Sequence, residues 1–229
     1  MKKLGNLCAI GAICSVGSFS TADVIMDQIG DFSGSDMSGT GLMASQIFEA
    51  AFGQYNIAVL DDFTLDSTTD LNSISAVIAG WNGYAGTDGI MGYSVNIYMS
   101  AEDAGNNLDG FVSLYLDNGV NPGVSYDDTW LGDGAHVTLD LNGVTLDAGT
   151  YYISVVAHNE FGSNGQTGVM NSNLGNFDAW QANPGGGFGF GGLQQTGNNA
   201  AYSMTGTAIP APGALALLGM AGLATRRRR

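Results

Sequence analysis

Alternating apolar and polar positions, or short apolar runs, recur along the chain at Ile57–Leu65, Ser73–Gly80, Tyr93–Ser100, Phe111–Asp117, His136–Leu141, Thr150–His158 and Ala200–Gly206, and a period of two dominates the middle. A period of two sends successive side chains to opposite faces, so each run is predicted to be a strand of a half-buried antiparallel sheet. In Tyr93–Ser100 the residues Tyr93, Val95, Ile97 and Met99 fall on one face, and Ser94, Asn96, Tyr98 and Ser100 on the other. In His136–Leu141 the apolar face is Val137, Leu139 and Leu141. Turn-forming residues separate the runs, at Trp81–Gly89, Asp117–Gly123, Asn142–Gly143 and Ala148–Gly149. Many short strands joined by Gly-rich turns predict an all-β fold, an antiparallel β-sandwich of jelly-roll type. One helix is expected, Gly41–Phe52, with Leu42, Ile47 and Phe48 sharing a face; an extended edge segment is the other reading of the same stretch. Asn183–Gly192 reads as a Gly-rich loop with Phe188 and Phe190 tucked against the sandwich.

The pattern breaks at both ends. Lys2 and Lys3 precede an apolar run, Leu7–Phe19, too short to span a bilayer, and Ser20-Thr21-Ala22 has the small residues of a signal-peptide cleavage site. Cleavage is therefore expected between Ala22 and Asp23, and it would remove both cysteines, Cys8 and Cys14. At the other end, Ile209 to Thr225 carries no charge and is followed by Arg226, Arg227, Arg228 and Arg229. As a helix this stretch would reach about 25 Å against a hydrocarbon core of about 30 Å, a marginal transmembrane helix. The arginines would hold the C-terminus on the cytoplasmic side, with the body outside. The expected organisation is a signal peptide at 1–22, one β-sandwich domain at 23–208 and a sorting or anchor segment at 209–229.

The order Pro-x-Pro, then a segment rich in Gly, Ala and Leu, then terminal arginines, resembles the PEP-CTERM sorting signal of Gram-negative bacteria that make extracellular polysaccharide. Here the tripeptide is Pro210-Ala211-Pro212, where the name-giving motif has Pro-Glu-Pro. The stretches Ser45–Leu65, Ala148–His158, Ala179–Gly189 and Ala200–Pro212 also resemble landmarks of exported PEP-CTERM proteins of β-sandwich type. The resemblance implies an exosortase-like membrane transpeptidase as partner, transient residence in the inner membrane, and a final location at the cell surface or in an exopolysaccharide matrix.

Charge narrows the function further. The 6 Lys and Arg residues all lie at the ends, as Lys2, Lys3 and Arg226–Arg229, while all 21 Asp and Glu residues lie between Asp23 and Asp178. The central region thus carries 0 − 21 = −21. Such a field repels phosphate backbones, so nucleic acid is excluded as a partner. Neighbouring carboxylates Asp61–Asp62 and Asp127–Asp128 would point to opposite faces of a strand, which does not suit a glycosidase pair. His136, His158 and Glu160 lack a zinc-motif spacing, and no catalytic residues are assigned. Calcium, which takes oxygen ligands, is the cofactor that the acidic loops could accept, through Asp88, Asp103, Asp109, Asp127, Asp128 and Asp133. Trp81, Trp130 and Trp180 sit in loop contexts where an exposed indole could stack on a sugar ring; the alternative is that each caps the core. The expected function is that of a non-catalytic surface or matrix protein associated with exopolysaccharide. The rival readings are a carbohydrate-binding module and an exported glycan-processing enzyme.

Overall fold

The structure is a computed structural model that describes residues 22–31, 36–119, 123–127 and 134–210. In chain order its strands are β1 (Asp23–Asp27), β2 (Met37–Ala44), β3 (Gln46–Ile47), β4 (Ala58–Leu65), β5 (Thr69–Trp81), β6 (Ile90–Tyr98), β7 (Val112–Asp117) and β8 (Val124–Asp127). They continue with β9 (Ala135–Leu146), β10 (Gly149–Asn159), β11 (Gln166–Ser172), β12 (Trp180–Ala182), β13 (Leu193–Gln195), β14 (Asn199–Ala200) and β15 (Tyr202–Ala208). The α-helices are α1 (Ala101–Asn106) and α2 (Phe161–Asn164), and short 3-10 turns cover Ala50–Tyr55 and Thr87–Gly89.

Two sheets result. β1, β2, β5, β8, β9, β11, β14 and β15 form the first, and β3, β4, β6, β7, β10, β12 and β13 form the second. Pairing is antiparallel except for β3 beside β10. The predicted alternation sets the inward faces: Leu71, Ile74, Ala76 and Ile78 of β5 pack with Val137 and Leu139 of β9 and with Tyr202 and Met204 of β15. Against them stand Val59, Phe63 and Leu65 of β4, Tyr93, Val95 and Ile97 of β6, and Ile153 and Val155 of β10. This is the sandwich-like core expected of two amphipathic sheets. The buried Tyr202 hydroxyl joins the layers, donating to the Val59 carbonyl at 3.0 Å and accepting from the Val155 N–H at 3.1 Å.

Each outer face is handled differently. α1, closed by a capping box between Ser100 and Asp103, lays Ala104 and the following Leu108 over Leu60, Tyr98 and Val156 of the second sheet. On the first sheet, Ile29 and Met37 cover Val77 and Met170. The rest of that face carries cross-strand hydroxyl pairs, Ser73 with Thr205 at 2.9 Å and Ser75 with Thr138 at 2.8 Å.

Three local expectations are corrected. The helix over Gly41–Phe52 does not form: the stretch is β2, β3 and the start of the 3-10 turn. Met43 joins the inter-sheet core while Leu42 packs on the outer cluster, the alternation of a strand. Asn142–Gly143 is not a hairpin turn but an irregularity inside β9, where the register on β5 shifts between Leu71 and Ser73 and Gly143 takes a φ of 93°. Met99 does not share the face of Tyr93, Val95 and Ile97, because β6 ends at Tyr98 and leaves Met99 exposed. Among the described residues no helix is long and apolar enough to cross a membrane, and the segment 211–229 lies outside them.

Candidate functional site

One end of the fold gathers aromatic side chains from three parts of the chain. Phe48, Phe52 and Tyr55 come from the segment between β3 and β4, and Phe161 opens α2. Phe188 comes from the Gly-rich loop after β12. With Asn82 and Gln166 they line an open cleft of about 270 Å³. The rings meet at steep angles: Phe52 and Phe161 are edge-on at 5.6 Å and 68°, Tyr55 and Phe188 at 5.5 Å and 75°. Phe48 tilts against Tyr55 and Phe161 at 6.3 and 6.2 Å. The surface is a cup rather than a plane.

Amide side chains hold this cup in place of ions, as a region without Lys or Arg requires. Buried Asn183 donates to the carbonyls of Gln54 and Asn56 at 2.9 and 2.8 Å and accepts the Phe188 N–H at 3.0 Å, which pins the Gly-rich loop beside Tyr55. The approach there needs glycine: a Cβ on Gly187 would lie 2.6 Å from the Tyr55 ring and 2.7 Å from the Gln54 carbonyl. Beneath α2, Gln46 donates to the Asn159 carbonyl at 2.8 Å and accepts the Thr167 N–H at 2.6 Å. Asn164 donates to Asn159 Oδ1 at 2.8 Å and accepts the Ala85 N–H at 3.1 Å, tying the 82–86 loop to the same network. Glu49 accepts the N–H groups of Phe161 and Gly162 at 2.8 and 3.2 Å. Burial works to raise the Glu49 pKa, but the N–H groups of Phe161, Glu49 itself and Gly162 outweigh it and hold the carboxyl below its usual value.

Asn82, at a φ of 55°, donates its Nδ2 to Gln166 Oε1 at 3.3 Å. Gln166 is only 6% exposed, and its Nε2 has no hydrogen-bond partner among the described residues.

The cleft lies at the pole opposite Ala22 and Pro210, the first and last described residues. β5 runs from Thr69 to Trp81, 13 residues, which spans about 40 Å at about 3.3 Å per residue. Trp81 lies at the cleft end. At the other end Asp23 pairs with Gly206, and the Ile209 N–H donates to the Thr68 carbonyl at 2.8 Å. Ala22, Asp23 and Pro210 are exposed there. Ala211, Pro212 and Arg226–Arg229 lie outside the described residues.

The remaining sequence candidates separate. Trp81 is half-buried behind the cleft in the cluster of Phe48, Phe52, Tyr55 and Phe161, with its ring over Gly168. Trp180 packs on the outer face of the second sheet with Nε1 buried and without a partner. Trp130 lies outside the described residues, as do Asp128 and Asp133. Asp88 sits in the 3-10 turn before β6, Asp103 in the α1 capping box, and Asp109 after α1. Asp127 faces His136 at 3.7 Å. Among the described residues no group of three or more His, Cys, Asp or Glu is close enough to hold a metal ion. His136 and His158 stand on different sheets. His158 pairs with Ser94 at 2.7 Å beneath the edge of Tyr115, and burial lowers its pKa. Asp61 and Asp62 do face opposite ways: Asp61 is fully buried between the sheets and Asp62 half-exposed.

No family model matches the sequence, and no curated protein is similar to it at a significant level. Sequence reading missed Phe48, Phe52, Tyr55 and Phe161 as site residues. Their only signal was aromatic density near Gly-rich segments, and spacing along the chain does not reveal which rings converge.

Proposed function

We propose that this protein is an exported, non-catalytic component of the cell surface or extracellular matrix, a jelly-roll β-sandwich that binds exopolysaccharide through its aromatic cleft. The observation that carries the reading is the cup of Phe52, Tyr55, Phe161 and Phe188, because aromatic side chains pack on the apolar faces of sugars and the two amides offer hydrogen bonds to a limited number of polar groups. Export rests on the N-terminal signal with cleavage between Ala22 and Asp23. Sorting rests on Pro210-Ala211-Pro212, the apolar stretch and the four arginines, handled by an exosortase-like transpeptidase after transient inner-membrane anchoring, N-terminus out and C-terminus in. The pole-to-pole arrangement suits this reading: a protein held by its tail would direct the cleft away from the membrane.

Sedimentation of the purified protein with exopolysaccharide from its own host tests the binding. Retention is expected for the wild type, with at least tenfold weaker retention for Phe188→Ala, whose ring is 39% exposed on a loop and whose loss leaves the core intact. Equal retention of both proteins would remove the cleft from the account. Release of soluble sugar during the incubation would favour the glycan-processing enzyme instead.

A further inference from the structure

Three features of the cleft constrain its ligand beyond the word glycan. Its charge is one-sided. No Lys or Arg occurs between residues 4 and 225, and Glu49 and Glu160 flank Phe161 at the rim. A uronate, sulfate or phosphate on the ligand would meet repulsion with no cation to offset it.

Its shape is closed to flat surfaces. Rings inclined at 68° and 75° to their neighbours cannot present the coplanar platform that stacks along a polymer sheet. A volume of about 270 Å³ is near the lower end for ligand sites, enough for one or two sugar rings.

Its polarity is low and specific. Five aromatic rings face two amides. A bare hexose entering this cup would leave several hydroxyls facing carbon, each losing hydrogen bonds to water without replacement. Gln166 is more than nine-tenths buried and presents an Nε2 donor without a protein acceptor. An acyl carbonyl accepts one such donor, and its methyl group carries no polar atom to be stranded among the rings.

Resting on the glycan reading above, we infer that the cleft recognises an uncharged, acetyl-substituted sugar, with the acetyl carbonyl on Gln166 Nε2 and the methyl group among Phe52, Phe161 and Phe188. The acetyl can be an acetamido group or an O-acetyl ester, which share this chemistry.

Calorimetric titration of the purified protein with four oligosaccharides of equal length tests the inference: an N-acetylglucosamine oligomer, its de-N-acetylated form, an unsubstituted glucan and an oligogalacturonate. An O-acetylated glucan oligomer, assayed beside its saponified form, separates ester from amide. The acetylated ligands should bind at least tenfold more tightly than glucan, and the oligogalacturonate should give no heat. Phe188→Ala should weaken acetyl-sugar binding at least tenfold without shifting the melting curve, while Asn82→Gly, which tolerates the positive φ but releases Gln166, should weaken it in a protein that still melts cooperatively. Equal, cleft-dependent affinity for glucan and acetylated oligomers would overturn the acetyl inference and leave the glycan reading standing. Tightest binding of the amine form or of the oligogalacturonate would likewise overturn it. Silence with every oligosaccharide would overturn both.

Discussion

Asp61 offers the sharpest test of the core. Its carboxylate is 0% exposed and points between the sheets from β4, flanked by Val59 and Phe63. It accepts the N–H of Ala200 at 2.8 Å and that of Asp62 at 3.0 Å, and Gln28 donates to it at 2.8 Å. Burial dominates these partners and the nearby Asp62 charge adds to it, so the pKa rises from 3.8 to about 7. The folded state therefore holds this proton more tightly than the unfolded chain. The stability it contributes is complete below about pH 4 and is lost as the pH rises through 7. A difference of about three pKa units at about 1.36 kcal/mol each gives a loss of about 4 kcal/mol. For a domain of this size that corresponds to roughly 10 °C in Tm. His136 and His158, whose pKa values burial lowers, act in the opposite sense below about pH 6.5. Relief of the general acidic repulsion at low pH acts in the same sense as Asp61. Comparing wild type with Asp61→Asn cancels both background effects. Urea melts of the two proteins at pH 4, 5.5, 7 and 8 should show the variant gaining about 4 kcal/mol relative to wild type between the lowest and highest pH. A difference between the proteins that stays within about 1 kcal/mol across the series would refute the argument that burial holds the proton on Asp61.

Other expectations follow from the same structure. Tyr202→Phe keeps the ring but strands the buried Val155 N–H and Val59 carbonyl, so chemical denaturation should show a loss of about 1–3 kcal/mol; an unchanged midpoint would mean that the bridge between the sheets is energetically idle. Asn183→Ala strands the Gln54 and Asn56 carbonyls and the Phe188 N–H and frees the Gly-rich loop, so the same sample should show weaker polysaccharide retention by sedimentation and a lower Tm by melting; retention equal to wild type would mean that the loop does not shape the cleft. The −21 charge is screened over a Debye length of about 10 Å at 0.1 M salt, so Tm should rise with sodium chloride, and calcium should add a saturable increment beyond magnesium at matched ionic strength if the acidic loops bind it. A flat Tm through molar salt and millimolar calcium would dismiss both effects. Mass spectrometry of the exported protein should find Asp23 at the N-terminus and no Arg226–Arg229; recovery of the intact arginine cluster on the released form would contradict tail processing.

The strands that could be read from sequence are those that either alternate or form a nearly unbroken apolar run. In β9 apolar residues alternate with polar ones because one face meets the core, whereas β10 is apolar along Tyr151–Ala157 except at Ser154, because its inner face meets the core and Val156 on its outer face meets Leu60 and Tyr98; both predicted runs lie inside the observed strands. β11, Gln166–Ser172, escaped because polar and apolar residues alike are buried along it; Thr167 is satisfied by Gln46 and Ser45, partners some 120 positions away. β2 imitated a helix because its apolar residues serve two different clusters. The cleft was less legible still. Phe48 and Phe188 are 140 positions apart, and amides that read as loop formers turn out to be the buried supports of the site.

The course of β15 bears on mechanical load. It lies between β1 and β5 and leaves the sheet at the pole farthest from the cleft. A tether pulling on the chain after Pro210, against a polymer gripped at the cup, would draw β15 lengthwise past both neighbours. In that geometry the rungs of the two ladders share the force and must give way together, whereas a strand peeled from one end would release them singly. β15 is therefore placed to resist shear along the line that runs from Pro210 to the cleft.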